Sequence, residues 1–472
     1  MTSSNNAATR TERDSMGEMQ VPVDARYGAS TQRAVLNFPI SDLRYPRRFI
    51  KALGQVKLAA AQTNAELGLL DRSVADAITT AAQQVIDGGL DGDFVVDIFQ
   101  TGSGTSTNMN ANEVIARVAN SLEKSEKKIH PNDHVNFGQS SNDVIPTATH
   151  VAAASAIKED LLPSLEALKA SLGRKSKEFW GVIKTGRTHL QDATPIRLGQ
   201  EFLGYAGQIE RGIARAQRAI DELSEVALGG TAVGTGINTH PEFAKKACAR
   251  LSHMTGLHIR ETSNHFQAQS SLDNVVAASG ALKTIAVSMT KIANDIRWLA
   301  SGPRAGIGEL DLPAVQPGSS IMPGKVNPVI CESVLMVCAQ VIGNDVAITI
   351  GGQSGNFEIN LTMPIVAYDV LQSIAVLAAA ARNLAKQAVD GLRSTSKGPE
   401  MVERGLATVT SLAPIIGYDA AAAIAKEAAA TGKTIREVAR AKTKLSEAEL
   451  EKILDPALMV EPSADRVGAG GG

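Results

Sequence analysis

Apolar residues recur at three- and four-residue spacing along most of this chain, and few stretches alternate strictly between apolar and polar residues. The first spacing places apolar side chains on one face of an α-helix, whereas strict alternation is typical of a strand. The pattern therefore predicts an all-α, mainly helical protein. The predicted helices cover residues 46–70, 73–86, 109–123, 144–172, 196–228, 267–300, 329–350 and 363–389.

The last five of these helices, from 144–172 to 363–389, are long and are predicted to form one bundle. The segment 267–300 is nearly free of charge up to Lys283, and small residues fill much of its surface outside the apolar stripe. A helix that is apolar over most of its circumference must be surrounded by other structure. Isolated long bundles expose much surface, and aromatic residues make up only 4% of this chain. We therefore predict a long helical bundle whose core is shared between subunits.

Changes in helix length and composition divide the chain into predicted domains. From Gly398 and Pro399 onward the helices shorten, which indicates a small C-terminal domain. The polar start of the chain predicts disorder over residues 1–16. The predicted domains are an N-terminal domain at 1–142, a central bundle domain at 143–362 that continues to 395, a helical domain at 396–461 and a flexible tail at 462–472.

The charge balance and the cysteine content narrow the class of protein. Lys and Arg number 47 against 49 Asp and Glu, which argues against nucleic acid or an anionic membrane as a partner. Cys248, Cys331 and Cys338 are too few for a disulfide framework and lack metal-site spacing, so a reducing compartment is expected. Cys331 is interpreted as a small buried residue rather than a reactive thiol.

The apolar stretch 365–381 is interrupted by Asp369 and predicts a buried helix rather than a membrane span. The polar N-terminus lacks a secretory signal, and we expect a cytoplasmic protein.

The segment 317–328 combines a glycine, two hydroxyls, a Pro-Gly turn, one ammonium and one amide. Such a loop can expose backbone N–H groups and aim several donors at one anion. Asn327 and Pro328 are predicted to be the cap and first turn of the helix that follows, which puts the loop at the positive end of that helix. A plain surface linker is the alternative from composition alone.

A second polar segment, 101–105, precedes the predicted helix at 109–123. Glycines beside hydroxyl groups at a helix start form an anion-binding nest, here with Ser103, Gly104 and Thr105. The segment lacks the Gly-Lys-Ser/Thr ending of a phosphate loop and follows no clear strand, so a nucleotide is not expected. Ordinary helix capping is the alternative interpretation.

Two further polar segments, 130–133 and 139–143, are rich in Asn, Asp and Ser. Loops of this composition usually form turns and caps. Asp143 is predicted to cap the helix that begins at residue 144, which leaves Ser141 and Asn142 free to point elsewhere.

The last polar segment, 186–195, contains His189. A lone histidine is more often a structural hydrogen-bonding residue than a catalyst, unless a carboxylate orients it. Glu332 is the candidate partner, because it lies one turn inside an apolar helix where a carboxylate needs a partner. A His–Glu pair could hold a water molecule and transfer its proton near neutral pH.

These segments, in this order, resemble the fumarase/aspartase superfamily. The resemblance begins near residues 12–15, passes through 229–236 and reaches 416–419, so it covers nearly the whole chain. The form of the 317–328 loop that carries Gly324 is most similar to class II fumarase. Aspartases usually carry Gln at the position of His189 and Thr at that of Ser141.

Two alternatives remain beside the fumarase interpretation. One is an aspartate ammonia-lyase, which releases ammonia from aspartate. The other is a recruited, non-enzymatic structural protein of the same superfamily, against which the intact Ser319, Lys325, Asn327 and His189 argue. Argininosuccinate and adenylosuccinate lyases have different residues around the position of Lys325 and act on bulkier substrates. They therefore match this sequence less well than fumarase or aspartase.

The resemblance implies reversible hydration of fumarate to L-malate, a step of the citric acid cycle, through an aci-carboxylate carbanion and without a metal or organic cofactor. It implies that Ser319 is the base for the C3 proton and that His189 with Glu332 handles the water. The implied substrate-binding residues are Ser103, Gly104, Thr105, Ser140, Ser141, Asn142, Thr188, Ser320, Lys325, Val326 and Asn327. A second, non-catalytic anion site is implied at His130, Pro131, Asn132 and Asp133.

The same resemblance implies three largely helical domains around a central bundle of five long helices. It further implies a homotetramer with a twenty-helix core, in which segments from three subunits form each active site.

Overall fold

The computed structural model describes residues 8–122 and 128–464, and these are mainly helical. The α-helices are α1 (Ala29–Asn37), α2 (Arg47–Glu66), α3 (Arg72–Asp87), α4 (Thr105–Leu122), α5 (Ser141–Ala156), α6 (Leu162–Glu178), α7 (Leu198–Leu223), α8 (Phe243–Thr255), α9 (His265–Ser270), α10 (Asp273–Leu299), α11 (Val329–Gly352), α12 (Met363–Asn383), α13 (Lys397–Val402), α14 (Ala413–Ile416), α15 (Tyr418–Thr431), α16 (Ile435–Lys442) and α17 (Glu447–Ile453). The predicted fold class is confirmed.

The strands are short and form two-stranded pairs. They are β1 (Thr9–Asp14) with β2 (Gly17–Pro22), β3 (Ile183–Thr188) with β4 (Gln191–Arg197), β5 (Glu225–Val226) with β6 (Arg260–Glu261), β7 (Leu310–Asp311) with β10 (Arg393–Ser394), and β8 (Gly355–Asn356) with β9 (Ile359–Asn360). Pairs β1–β2, β3–β4, β7–β10 and β8–β9 are antiparallel, and β5–β6 is parallel.

The helices follow the predicted segments, with ends displaced by a few residues. The segment 144–172 lies within α5, a π-helical turn at Ile157–Leu161, and α6. The segment 267–300 is divided between α9 and α10. Glu123, the predicted end of one helix, lies outside the described residues.

The predicted disorder of residues 1–16 is wrong for β1. Arg10 donates to the carbonyl oxygens of Pro22 and Tyr27, and Arg33 forms an ion pair with Asp14 at 2.8 Å. These charge-assisted bonds hold a polar strand that has little apolar surface to bury. Residues 1–7 and the tail 465–472, where disorder is also predicted, lie outside the described residues.

The chain divides into two compact units. Unit 1 comprises Met1–Pro163, Gly212–Ala286 and Val337–Ala378, and unit 2 comprises Ser164–Arg211, Val287–Met336 and Ala379–Gly472. This division passes through long helices and does not coincide with the predicted domain boundaries, so the three-domain scheme stays a prediction.

Each unit has its own apolar core. In unit 1, α2 packs against α3, α5 and α8, and its buried alanines at 59–61 allow close approach. In unit 2, a C-terminal cluster buries Ile424, Val438 and Leu450 from α15, α16 and α17.

Within residues 8–122 and 128–464, three helices are long and apolar enough to cross a membrane by length and composition alone: Asp273–Leu299, Val329–Gly352 and Met363–Gly391. In α11 only 39% of the apolar window is buried by the chain itself. Met336, Val346 and Ile350 are exposed, and Ala339 and Gly343 lie between them at three- and four-residue spacing. One face of α11 is therefore apolar and uncovered in the single chain.

Candidate active site

The glycine loop before α4 lies against the start of α5 in unit 1. Gly104 has a φ of +74°, and a Cβ atom there would lie 2.9 Å from side-chain carbons of Ile145 on α5, so glycine is required. The hydroxyl oxygens of Ser103 and Thr105 are 2.9 Å apart. The loop therefore holds two hydroxyl groups side by side at the start of a long helix.

The start of α5 differs from the prediction. Ser140 is the N-cap: its Oγ accepts from the N–H of Asn142, and its own N–H donates to Oδ1 of Asp143 at 3.0 Å. Oδ2 of Asp143 accepts from the N–H groups of Gly229 and Thr231 at 3.0 and 2.9 Å. The prediction that Asp143 is the cap is wrong, because Asp143 is the third residue of α5 and forms a capping box with the N-cap Ser140. Its side chain is fully buried. Burial raises the pKa of this carboxyl, and the three N–H donors oppose the rise.

The two residues expected to bind a ligand here make different contacts. Oγ of Ser141 accepts from Nδ2 of Asn108 at 3.0 Å, so the Ser141 hydroxyl keeps its own proton for another acceptor. Nδ2 of Asn142 donates to the carbonyl oxygen of Ala232 at 2.8 Å. The structure thus brings Ser141 close to the helix that follows the glycine loop.

Lys57 on α2 was missed by sequence reasoning. Its side chain is completely buried, and Nζ donates to Oδ1 of Asn136 at 2.9 Å and to Oε1 of Gln139 at 3.0 Å. Burial lowers the pKa of Lys57 to about 7, and the charge of Asp143 acts in the opposite direction. The available signal was a lone lysine inside the apolar face of the predicted helix 46–70.

The residues of the predicted second anion site form an exposed π-helical turn. Nδ1 of His130 accepts from the N–H groups of Asn132 and Asp133 at 3.3 and 3.2 Å. Pro131 has no N–H to offer. In this conformation the backbone donors that an anion could use are bonded to the imidazole ring.

In unit 2, His189 lies at the tip of the β3–β4 hairpin. Thr188 pairs with Gln191, so His189 and Leu190 form a two-residue loop, with φ values of 56° and 62°. Such loops favour Asn-Gly, because left-handed backbone costs other residues about 1–2 kcal/mol each. The sequence therefore carries no ordinary turn signal here. Backbone strain of this kind is concentrated at functional sites.

The β3–β4 hairpin rests on buried charges that sequence reasoning also missed. Lys184 and Arg187 on β3 both form ion pairs with Glu309, and Lys184 is also paired with Glu201. Burial raises the pKa of the Glu201 carboxyl, and the Lys184 charge lowers it. Glu309 lies eight residues before the polar segment 317–328, and nothing in the sequence around it indicates this role.

The loop at 317–328 surrounds the hydroxyl of Ser319 with backbone donors. Oγ of Ser319 accepts from the N–H groups of Ile321 and Met322 at 3.2 and 2.9 Å. The N–H of Gly318 donates to the carbonyl oxygen of Lys325 at 2.8 Å, and a Cβ at Gly318 would lie 2.3 Å from that oxygen. Two donors on one hydroxyl oxygen stabilise negative charge there.

The predicted cap behind this loop is wrong in part. Helix α11 begins at Val329, and Nδ2 of Asn327 donates to the carbonyl oxygen of Gly318 at 2.6 Å instead of the side chain capping the helix. Asn327 therefore closes the loop. The loop lines a cavity of about 430 Å³, in which Lys325 and Val326 are exposed. Ser320 is exposed beside Ser319.

The predicted pair of His189 and Glu332 is not formed within one chain. Both side chains are exposed, and no hydrogen bond or ion pair joins them in the residues that the structure describes. The two residues lie in the same unit.

The cysteines are buried, as expected for Cys331. Burial raises the pKa of the Cys331 thiol to about 12, which makes it unreactive near neutral pH. Among residues 8–122 and 128–464, no group of three or more His, Cys, Asp and Glu side chains could hold a metal ion. The absence of a cofactor stays a prediction.

Comparisons with known proteins span the chain. A family model described as "Lyase" matches residues 17–343, and one described as "Fumarase C C-terminus" matches residues 409–461. The chain is 50% identical over 473 residues to a protein of Xylella fastidiosa (strain Temecula1) named fumarate hydratase class II, with 100% of each chain covered. It is 56% identical to a protein of the same name from Halobacterium salinarum, covering 95% of this chain and 96% of the relative.

A solved structure with a closely similar fold carries the same kind of name as these relatives. The crystal structure of recombinant class II fumarase from Schistosoma mansoni is 38% identical in sequence and has a TM-score of 0.94. The match covers 96% of this chain and 99% of the other. The similarity thus includes both units and all of the polar segments described above.

Proposed function

This chain belongs to the class II fumarate hydratase family, and from that premise we propose that it catalyses the reversible hydration of fumarate to L-malate. The structural observation that carries the proposal is Ser319, whose Oγ accepts two backbone N–H bonds in the loop that also bears Lys325. A serine oxygen in this setting can serve as a base, because its alkoxide is stabilised. No observation favours the aspartate ammonia-lyase or the recruited structural protein.

In the direction of fumarate, Ser319 takes the C3 proton of malate. The electron pair left on C3 is delocalised into the adjacent carboxylate, which becomes a doubly charged aci-carboxylate. Lys325 and the loop N–H groups stabilise that charge. The C2–O bond then breaks, the C2=C3 bond forms, and the leaving hydroxide takes a proton from His189 and departs as water.

The polar groups of unit 1 bind the substrate in this proposal. Hydroxyl and amide donors suit two carboxylates, and the adjacent Ser103 and Thr105 hydroxyls support that role. Ser141 supports it as well, because its Oγ already accepts one bond and its proton is free to be donated. The turn at His130, Asn132 and Asp133 is proposed as the second anion site, which requires the His130 ring to release its backbone donors.

The active enzyme is proposed to be a homotetramer whose active sites combine segments of three subunits. The uncovered apolar face of α11 supports contact with other copies, since large exposed apolar surfaces mark interfaces. The unformed pair of His189 and Glu332 supports sharing of the site between chains. The apolar helices are then buried between subunits rather than in lipid, and the enzyme is soluble and cytoplasmic.

The ultraviolet absorbance of fumarate tests the function directly. Purified protein without added metal is given L-malate, L-aspartate or argininosuccinate in separate reactions. Fumarate formed from malate alone supports the hydratase. Fumarate formed from aspartate alone would identify the protein as an ammonia-lyase instead. If none of the three compounds yields fumarate, the result favours the non-enzymatic structural protein.

A further inference from the structure

We propose that Lys57 is a positioning residue that, through a buried chain of amide side chains, fixes the direction in which the Ser141 hydroxyl meets a substrate carboxylate. The inference rests on the proposed function, which takes Ser141 as a substrate-binding group. Lys57 itself is completely buried and touches no substrate in this arrangement.

The first link is the buried amine of Lys57. Among the described residues, its hydrogen-bond partners are two amide oxygens, from Asn136 and Gln139, and no carboxylate. A buried amine costs several kcal/mol unless its donors are used. An apolar side chain would fill the same place on α2 at lower cost. Packing alone therefore does not explain a lysine at this position. The two amide oxygens that accept hydrogen bonds from Nζ do explain it.

The second link is the side chain of Asn136, which has one permitted orientation. Its Oδ1 accepts from Lys57 at 2.9 Å, from Asn108 at 3.2 Å and from Asn112 at 3.3 Å, and its Nδ2 donates to the carbonyl oxygen of Gln139 at 3.1 Å. A rotated amide would place an NH2 group against three donors. Lys57 thus contributes to a lock on Asn136.

The third link passes from Asn108 to Ser141. Nδ2 of Asn108 donates both to the locked Oδ1 of Asn136 and to Oγ of Ser141, the latter at 3.0 Å. Because Nδ2 can only donate, Oγ of Ser141 must accept, and its proton is directed away from Asn108. Both side chains are buried, so water does not compete freely for these bonds. The hydroxyl is left as a directed donor, which suits a carboxylate.

Asp143 on α5 supplies the nearby opposite charge and holds the same loop from the other side. Its carboxylate accepts from the N–H groups of Ser140, Gly229 and Thr231, while Lys57 holds Gln139. The two charged groups therefore fix consecutive residues just before Ser141. The Asp143 carboxylate already accepts from three backbone N–H groups. Attraction between Asp143 and Lys57 therefore does not by itself explain why Lys57 donates to Asn136 and Gln139.

Steady-state kinetics of the full-length enzyme test the proposal. Lys57→Met removes the donors with little change of volume. We expect its KM for L-malate to rise about tenfold with kcat within about threefold of the wild type, because a carboxylate contact is made in the ground state and the transition state alike. The matched control is Lys175→Met, which removes another buried amine that donates to Glu178 and to the carbonyl oxygen of Leu392. Its KM should not change.

A double-mutant cycle separates positioning from general loosening. If Lys57 acts through Ser141, then Lys57→Met changes KM by less than about twofold in a Ser141→Ala background. Additive effects, or an equal rise of KM in Lys175→Met, overturn the inference.

Asn108→Ala removes the hydrogen bond from Asn108 to Ser141 and leaves Lys57 unchanged. This variant tests the proposal if Lys57→Met does not fold. It should reproduce the rise in KM, and an unchanged KM overturns the inference. A wild-type protein that forms no fumarate from malate refutes the proposed function and this inference with it. An active wild type with unchanged variants refutes only the inference.

Discussion

Nζ of Lys184 lies 3.0 Å from Oε2 of Glu309, and the two side chains are only 1% and 2% exposed. Oε1 of the same carboxylate accepts from Nη2 of Arg187 at 2.6 Å. One buried glutamate thus holds two cations of β3, immediately before Thr188 and His189. Because buried charges need their partners, Glu309 determines where the tip of the hairpin lies.

Replacing Glu309 should therefore damage both stability and turnover. Glu309→Gln leaves Lys184 and Arg187 without their shared carboxylate and is expected to lower the free energy of unfolding by about 3 kcal/mol. Turnover should fall as well, because His189 is displaced. Urea denaturation and malate dehydration measure the two effects. The control is Asp311→Asn, which breaks an exposed pair with Arg393 and should cost less than about 1 kcal/mol. Equal losses in the two variants would contradict this role.

His189→Asn removes the imidazole while keeping a residue that tolerates positive φ. We expect the hairpin and the oligomer to be preserved and kcat to fall about 100-fold or more, as for the loss of a general acid–base group. Size-exclusion chromatography and steady-state rates provide the measurement. A melting temperature that falls while the rate stays normal would return His189 to a purely structural role.

Ser319→Ala should abolish most turnover and leave dicarboxylate binding largely intact. The methyl group cannot take the C3 proton, whereas Lys325 and the loop backbone remain to bind the substrate. Calorimetric titration with L-malate measures binding, and fumarate absorbance measures turnover. Ser411→Ala is the control and should keep its rate, because it removes a hydroxyl that donates to the carbonyl oxygen of Thr408 in the segment between α13 and α14. Near-normal turnover in Ser319→Ala would exclude it as the base.

The buried amine of Lys57 predicts a dependence of stability on pH. Its pKa is lowered to about 7 in the folded chain, whereas an unfolded lysine keeps its proton to much higher pH. Unfolding between these values takes up a proton, so rising pH stabilises the native state. The free energy of unfolding of the wild type, relative to Lys57→Met, should rise by about 1.4 kcal/mol per pH unit above pH ~7.5. Urea denaturation at one protein concentration measures the free energy of unfolding of both proteins across this pH range. If the prediction is wrong, the plots of this free energy against pH are parallel for the wild type and Lys57→Met.

A charge on the uncovered face of α11 should dissociate the oligomer. Val346 is 55% exposed in the single chain, and Val346→Glu would bury a carboxylate if another copy covers it. We expect smaller species by light scattering and a loss of turnover, because the pair of His189 and Glu332 is not formed within one chain. Leu69→Glu changes an exposed apolar residue in the turn after α2 and should leave the oligomer intact. An unaltered mass for Val346→Glu would place the interface elsewhere.

Much of the fold was predictable because helical periodicity is a local property. The segment 329–350 matches α11 closely, and 363–389 begins with α12 at Met363 and runs into the π-helical turn at Leu384–Ala388, since each segment carries apolar residues at helical spacing over many turns. The family was also predictable, because several polar segments occur in a particular order, and the full-length relatives confirm it. The polar strand β1 was not predictable in this way, because ion pairs with a distant arginine hold it in place.

The sequence by itself determined the fold class, the family and the polar segments that carry the chemistry, since periodicity and motif order are written along the chain. Only the tertiary structure decided which groups support them. Lys57 lies 79 residues before Asn136, and Glu309 lies 122 residues after Arg187, so neither contact leaves a local pattern. The backbone of His189 and Leu190 is likewise held in a conformation that their own preferences oppose. Such roles depend on burial and on partners distant in sequence, and both exist only once the chain has folded.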